Sequence, residues 1–549
     1  MHFKKIIFSI SLIFITNTMY ANGVSVANVF LSGQNTTSHY SLINFAVSWN
    51  NSWRVSSGPS NWDAVWVFAK FRKTTSTVWN HATLNWVNGT GVADGHTVPA
   101  GASMSSSNDN GAGGAYGVFI YSSSNMIQGT VNYTGSQLRW NYGVDALTDA
   151  DSVELCVFAI EMIYVPSGSF YVGDGNLTII GQFRNQASNT SFQITSEASL
   201  TLGGSGPTNL NNNNTTGQNT PDDFNNLTVQ TLPAAFPKGF ASYYCMKYEI
   251  TQDQYVEFLN KLTRVQQATR CAATTVGNYM SSTAGGSAAP QNRNGIKLIS
   301  DPGGISSRVF GCDLNNNGVP NEAADGQNIA CNWINFPDLS AYLDWSGLRP
   351  MTELEYEKTC RGPNNPVAGE YAWESIAILG ATTISAGTSG ASNETSSTVG
   401  ANCVYNNAAL IQGPMRVGNF AQAGTNQVQA GAGYFGAMDL TGNLFEIMVS
   451  VGSAAGRSFS GLQGNGALNN TGDADVNYWP GINGNATITN PNGVYGGVTG
   501  CTQFAGYGFN GSSWNDNTWL TVSGRAYRAT WSTTGRDNRS GGRGVRTAP

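Results

Sequence analysis

The sequence predicts an α+β protein: an N-terminal all-β sandwich followed by a longer region of short strands, short helices and long loops. Three observations carry this. Apolar-rich runs separated by Gly, Asn and Ser clusters fill the first 165 residues, and capped helical periodicity begins only near residue 250. The 549-residue chain also holds 66 glycines but only 11% charged residues, which describes turn-rich β structure with uncharged polar surfaces rather than helical bundles or a charged disordered chain. With 40% hydrophobic residues it can bury a sizeable core, and at roughly 150 residues per domain the length corresponds to three or four domain equivalents. A net charge of -6 gives no positive field for phosphate groups or anionic lipid, which disfavours nucleic-acid binding.

From the N-terminus, Lys4 and Lys5, the apolar run Ile6 to Ile15 and the stretch ending at Ala21 read as the three regions of a signal peptide, 1–21. Export is therefore expected, to a secreted or cell-surface location. No later stretch reaches the ~20 apolar residues of a transmembrane helix. The expected sandwich, 22–158, contains four β-prone runs: Tyr40 to Trp49, Asp63 to Phe71, Ala115 to Tyr121 and Ser152 to Ile160. Seven of the 14 tryptophans fall here: Trp49, Trp53, Trp62, Trp66, Trp79, Trp86 and Trp140. Such a density suits a sugar-stacking platform, but the alternation around Trp66 favours core burial.

Residues 176–235 are polar and low in complexity, which predicts a loop insertion with a hairpin around Ser191 to Leu202. Beyond it, Thr251 to Gln254 and Thr352 to Glu355 are capping boxes ahead of short helices, and Pro337 to Trp345 is a third helix ended by Gly347. Eight cysteines in an exported chain predict disulfides, with connectivity open. None forms a CxxC pair and no histidine lies near one, so a zinc site is disfavoured.

Ordered motifs in 162–549 carry a resemblance. Met162 to Gly173 and Met246 to Leu259 open it. Leu348 to Lys358 is similar to R-L-P-T-E-A-E-W-E-Y, Tyr371-Ala-Trp373 to Y-P-W, and Gly436 to Glu446 to G-L-Y-D-M-A-G-N-V-W-E. Gly508 to Trp514 and Arg543-Gly-Val-Arg546 resemble G-x-R-G-G-S-W and G-F-R. Together these resemble the formylglycine-generating enzyme, or sulfatase-modifying-factor, family. The resemblance implies a C-type-lectin-like fold for 159–549, with 176–235 as its insertion.

The same resemblance implies a copper-binding cysteine pair just after the Trp514 strand, but Asp516 and Thr521 hold those places. Neither supplies the soft thiolate that Cu(I) requires. A second branch of the superfamily uses histidine-ligated iron. The four histidines, His2, His39, His81 and His96, all precede residue 159, so neither copper nor iron is expected and no catalytic residue is assigned.

Calcium is the cofactor the residues suggest, in a structural role. Asp313, Asn315 and Asn317 with Gly318 place oxygen ligands at alternate positions before a glycine turn, as in an EF-hand-type loop. Position twelve is Ala324, with Glu322 and Asp325 near it, so the loop is incomplete. The competing reading is an Asn/Gly turn stapled by a Cys312–Cys331 bridge. The family carries structural calcium as well, and Asn402 matches one of its ligands. Asn443 and Glu446 read as loop-fixing residues.

Six arginines gather near the C-terminus, from Arg525 to Arg546. They suit anionic glycan groups or, alternatively, internal pairing. The stretch 515–538 occupies the place of the family's active cleft, and Trp519, Tyr527, Arg528, Trp531 and Arg536 are its candidate ligand-binding residues. Glu353, Glu355 and Glu357 show no glycosidase-like pairing. The sequence thus reads as an exported, non-catalytic binding or surface-assembly protein whose partner is a glycan or cell-surface protein. Two alternatives stand beside it: an enzyme of the superfamily with unrecognised catalytic residues, and a receptor with a diversified C-terminal surface.

Overall fold

The computed structural model describes residues 23–549 except 90, 186, 213–221, 225–227, 477–478, 481–493, 496–497, 500–505 and 526–535, with backbone alone at 494–495 and 498–499. The signal-peptide expectation, 1–21, lies outside the described residues. Strands predominate, with six short helices among the described residues.

An antiparallel sandwich forms at the N-terminal end, as its alternating runs require. One sheet orders Ser25–Asn35, Tyr40–Arg54, Met126–Trp140, Leu84–Asn85 and Gly114–Ala115. The other contains Asp63–Lys73 beside Val118–Ser122 and Ala102–Ser105. The expected run Ala115 to Tyr121 is split between the two sheets. The break falls at Gly117, where a β-carbon would lie 2.5 Å from the Trp66 ring and 2.7 Å from the Val67 carbonyl oxygen.

The second sheet does not stop at residue 158. Strand Val153–Val165 pairs with Asp63–Lys73 along its first part and with Tyr243–Met246 along its last, so Met162 faces both Ala64 and Met246. Gly544–Thr547 and Arg349–Pro350 extend the sheet further. The expected boundary between 158 and 159 thus falls inside one strand of a shared eight-stranded sheet.

That sheet is the middle layer of the molecule. Val65, Val67, Ala69 and Phe71 pack toward the five-stranded sheet, whereas Ala64, Trp66 and Phe68 join the other core. The period-two alternation of a strand therefore feeds two cores at once. On the second side lie helices Gln252–Leu259 and Phe336–Trp345: Trp345 meets Phe68 and Phe158 edge-on at 5.3 and 5.0 Å, and Trp66 Nε1 donates to the Ser346 carbonyl at 2.8 Å. Trp49, Trp66 and Trp140 are fully buried, and Trp62 stacks on Tyr164 at 3.9 Å, so these tryptophans serve packing.

The helix signals are met residue by residue. The Thr251 hydroxyl accepts from Gln254 N at 3.3 Å while Gln254 Oε1 accepts from Thr251 N at 3.0 Å. Thr352 and Glu355 repeat this at 3.2 and 3.0 Å. After Trp345, Gly347 takes φ 72°, and Leu348 N–H reaches the Leu343 carbonyl at 2.8 Å, a Schellman close.

Two expectations are corrected. The 176–235 segment is folded in rather than looped out: Phe183–Asn185, Leu200–Leu202, Leu210–Asn212 and Gln230–Leu232 make a four-stranded sheet. Of its sparse apolar residues, Phe183, Ile194, Leu202, Leu210, Phe224 and Leu232 are completely buried in the main core, whereas Leu177 and Val229 are exposed. Ser191 to Leu202 is not a hairpin, because Phe192–Ile194 pairs with Phe170–Val172 while Leu200–Leu202 pairs with Gln230–Leu232. Nor are there disulfides among the described residues. Cys156, Cys245, Cys271, Cys312, Cys331, Cys360 and Cys403 are all free and buried, so the 313–325 loop carries no Cys312–Cys331 staple.

Candidate functional site

The segment that held the sequence's candidate surface begins on a three-stranded sheet. Strand Tyr507–Asn510 runs antiparallel to Phe445–Val449, whose other edge pairs with Ser540–Gly541. The chain leaves through Gly511 to Trp514 into a loop shaped by left-handed backbone at Ser512, φ 66°, and Trp519, φ 60°. Ser512 Oγ donates to the Thr518 carbonyl at 2.7 Å, and the buried Trp514 donates Nε1 to the Asn538 carbonyl at 3.0 Å.

Beneath this sheet lies a charged interior that the sequence did not reveal. Arg543, wholly buried, donates Nε to Glu446 Oε1 at 2.6 Å and Nη2 to the Met438 carbonyl at 2.7 Å. Asn443 accepts from Met415 N–H at 2.8 Å and donates to Glu249 Oε2 at 2.5 Å. Glu249 Oε1 accepts Leu444 N–H at 3.0 Å. Burial pushes the neighbouring Asp439 carboxyl up to about 6. Asn443 and Glu446 thus fix the loops of the domain, as their positions in the sequence suggested.

The family model for the sulfatase-modifying factor enzyme 1-like domain matches residues 158–474, more than half of the 549 positions. The chain belongs to this family. The match begins within the shared strand Val153–Val165 and ends before the Tyr507 to Trp514 segment. No curated protein matches the chain.

The copper site implied by the sulfatase-modifying-factor resemblance is not one these residues fit. Asp516 accepts Ser513 Oγ at 2.5 Å and Arg539 Nη1 at 3.3 Å, a hard and already engaged carboxylate. Thr521 is half-buried and carries no thiol. Elsewhere, burial pushes all seven described thiols above their ordinary range, Cys271 to about 11 and Cys245 to about 12. Cys403 donates its thiol to the Thr441 carbonyl at 3.2 Å. These are packing thiols rather than the thiolates that bind metal or attack substrate.

Of the candidate ligand-binding residues, Tyr527, Arg528 and Trp531 lie outside the described residues. Trp519 is half-buried on the loop. Arg536 is committed internally: it donates to Asp338 at 2.8 and 2.9 Å and to the Thr269 carbonyl at 2.7 Å. Most of the arginine cluster behaves likewise. Arg525 pairs with Asp222 and Glu353, Arg539 with Asp537, Arg543 with Glu446 and Arg546 with Asp109. The glutamates of helix Glu353–Arg361 are the partners of such arginines, Glu355 with Arg349 and Glu357 with Arg361, and not an acid/base pair.

The calcium candidates divide. Asp313, Asn315 and Asn317 share one loop, with Asp313 Oδ2 2.7 Å from Lys297 Nζ. Asn402 hydrogen-bonds elsewhere, accepting from Leu379 N–H at 2.9 Å and donating to the Ala377 and Val428 carbonyls. Among the described residues no three His, Cys, Asp or Glu side chains gather as a metal-binding group, and no helix is long and apolar enough to cross a membrane.

Proposed function

We propose that the chain is an exported, non-catalytic member of its family, used for binding or surface assembly through a C-type-lectin-like scaffold. One observation carries the reading: Asp516 and Thr521 stand where the resemblance places a copper-binding cysteine pair, with Asp516 held by Ser513 and Arg539. The buried, protonated thiols support it, since none among the described residues offers a thiolate.

The partner is a glycan or a cell-surface protein, recognised across 515–538. The loop 511–521 is shaped by interior hydrogen bonds, which leave Asn517 and Thr518 exposed beside the half-buried Trp519. Exposed hydroxyl and amide groups around an aromatic ring suit adaptable polar recognition. The test is an array of glycans and cell-surface extracts probed with residues 22–549. Specific binding that weakens in Trp519→Ala supports the reading, whereas no binding on any surface tested counts against it.

A further inference from the structure

Among the described residues, two buried carboxylate oxygens of the loop 312–326 lack a hydrogen-bond partner. Asp313 and Asp325 are both fully buried, and Oδ1 of each has no hydrogen-bond partner. Their other oxygens are committed. Asp313 Oδ2 takes Lys297 Nζ at 2.7 Å, the Tyr279 hydroxyl at 3.3 Å and Gly318 N–H at 3.3 Å, and Asp325 Oδ2 takes Glu322 N–H at 2.7 Å.

The charges do not balance either. Lys297 neutralises Asp313, but Asp325 has no cationic partner among the described residues, and Glu322 adds a third carboxylate that accepts from Asn317 Nδ2 at 2.5 Å. An unsatisfied carboxylate oxygen in such surroundings is costly, and a cation relieves it.

The structure also repairs the register that the sequence left incomplete. Position twelve of the loop is Ala324, yet Leu314 N–H donates to the Asp325 carbonyl at 3.3 Å, which brings Asp325 back to the loop's start. Asn315 Oδ1 and Asn317 Oδ1 each accept one backbone N–H, at 2.9 and 2.8 Å, and keep a second lone pair. Gly318 turns the chain at φ 87°.

We propose that Asp313, Asn315, Asn317 and Asp325 form a calcium site, with the ion seated on the two unpartnered Oδ1 atoms. Two carboxylates and two carboxamides are an all-oxygen, hard donor set without histidine or thiolate, which selects calcium over zinc or copper. The solvent-exposed side of Asn315 and Asn317 leaves room for water to complete the coordination. Two aspartates, Glu322, Lys297 and Ca²⁺ together sum to neutrality.

The test uses purified 22–549, calcium titration by calorimetry and Tb³⁺ as a luminescent stand-in, sensitised by Tyr279, whose hydroxyl lies 2.8 Å from Asn316 Oδ1. The expected result is one ion at this loop whose affinity falls at least tenfold in Asp325→Asn and in Asn317→Ala, with Asn402→Ala binding as the parent does. Hydrogen exchange of the parent chain serves as the second readout should Asp325→Asn fail to fold. Slower exchange over 312–326 in calcium than in chelator supports the site. Unchanged affinity in a folded Asp325→Asn, or identical exchange in calcium and chelator, overturns it.

Discussion

Arg525 Nη1 donates to Asp222 Oδ2 at 2.5 Å, although the two residues are 303 positions apart. The same guanidinium reaches Glu353 at 2.8 Å and lies over the Phe183 ring at 4.0 Å. It thereby clamps the polar 176–235 segment to the end of the C-terminal loop. Replacing it with methionine leaves two buried carboxylates uncompensated, and breaking a buried pair in this way costs about 3–5 kcal/mol. Urea unfolding of Arg525→Met is expected to show that loss with an unchanged dependence on denaturant.

A shared sheet predicts shared unfolding. Strand Val153–Val165 gives its first part to Asp63–Lys73 and its last to Tyr243–Met246, and Arg546 near the C-terminus pairs with Asp109. Calorimetry of 22–549 is expected to record one cooperative transition, and 159–549 expressed alone is expected not to fold. Two resolved transitions would show that the halves are independent.

Glu161 sets a pH dependence. Burial pushes its carboxyl up to about 7 against the pull of Lys247, whose Nζ lies 2.5 Å from Oε1, while Oε2 has no partner among the described residues. A carboxyl raised in the fold contributes stability that is complete below its unfolded value near 4.5 and is lost as the pH rises through the folded value. Lys247 is raised by Glu161, so its contribution is lost only at strongly alkaline pH. Glu161→Gln should match the parent near pH 5 and lack this loss near pH 8 in parallel melts.

Thiol accessibility checks the cysteine assignment. In a Cys501→Ser chain, the seven buried cysteines are expected to resist a thiol reagent in the native state and to react fully in denaturant. Fewer than seven reactive thiols after denaturation without reductant would mean bridges that this structure does not contain.

The local signals were legible in the sequence because their causes are local. Thr251, Thr352 and Gly347 act within one helical turn, and the alternation around Trp66 follows from strand geometry. The order of the family motifs was legible too. What failed depends on pairing at long range. Leu200–Leu202 finds Gln230–Leu232 rather than its near neighbour, and nothing in the 176–235 composition shows that a few apolar residues suffice to anchor it. Arg536 offered a free fork in the sequence, because its partner Asp338 lies 198 residues away. Asp325 sat one place beyond the ligand position of the calcium loop, and only the fold returns it to Asp313.

An oxidase assay tests directly whether this family scaffold has given up copper-thiolate chemistry. Purified 22–549, supplied with copper and oxygen, would be incubated with a Cys-x-Pro-x-Arg peptide and the peptide mass followed. No conversion of the peptide cysteine to formylglycine is expected. Conversion that disappears in Asp516→Ala or Thr521→Ala would contradict this expectation.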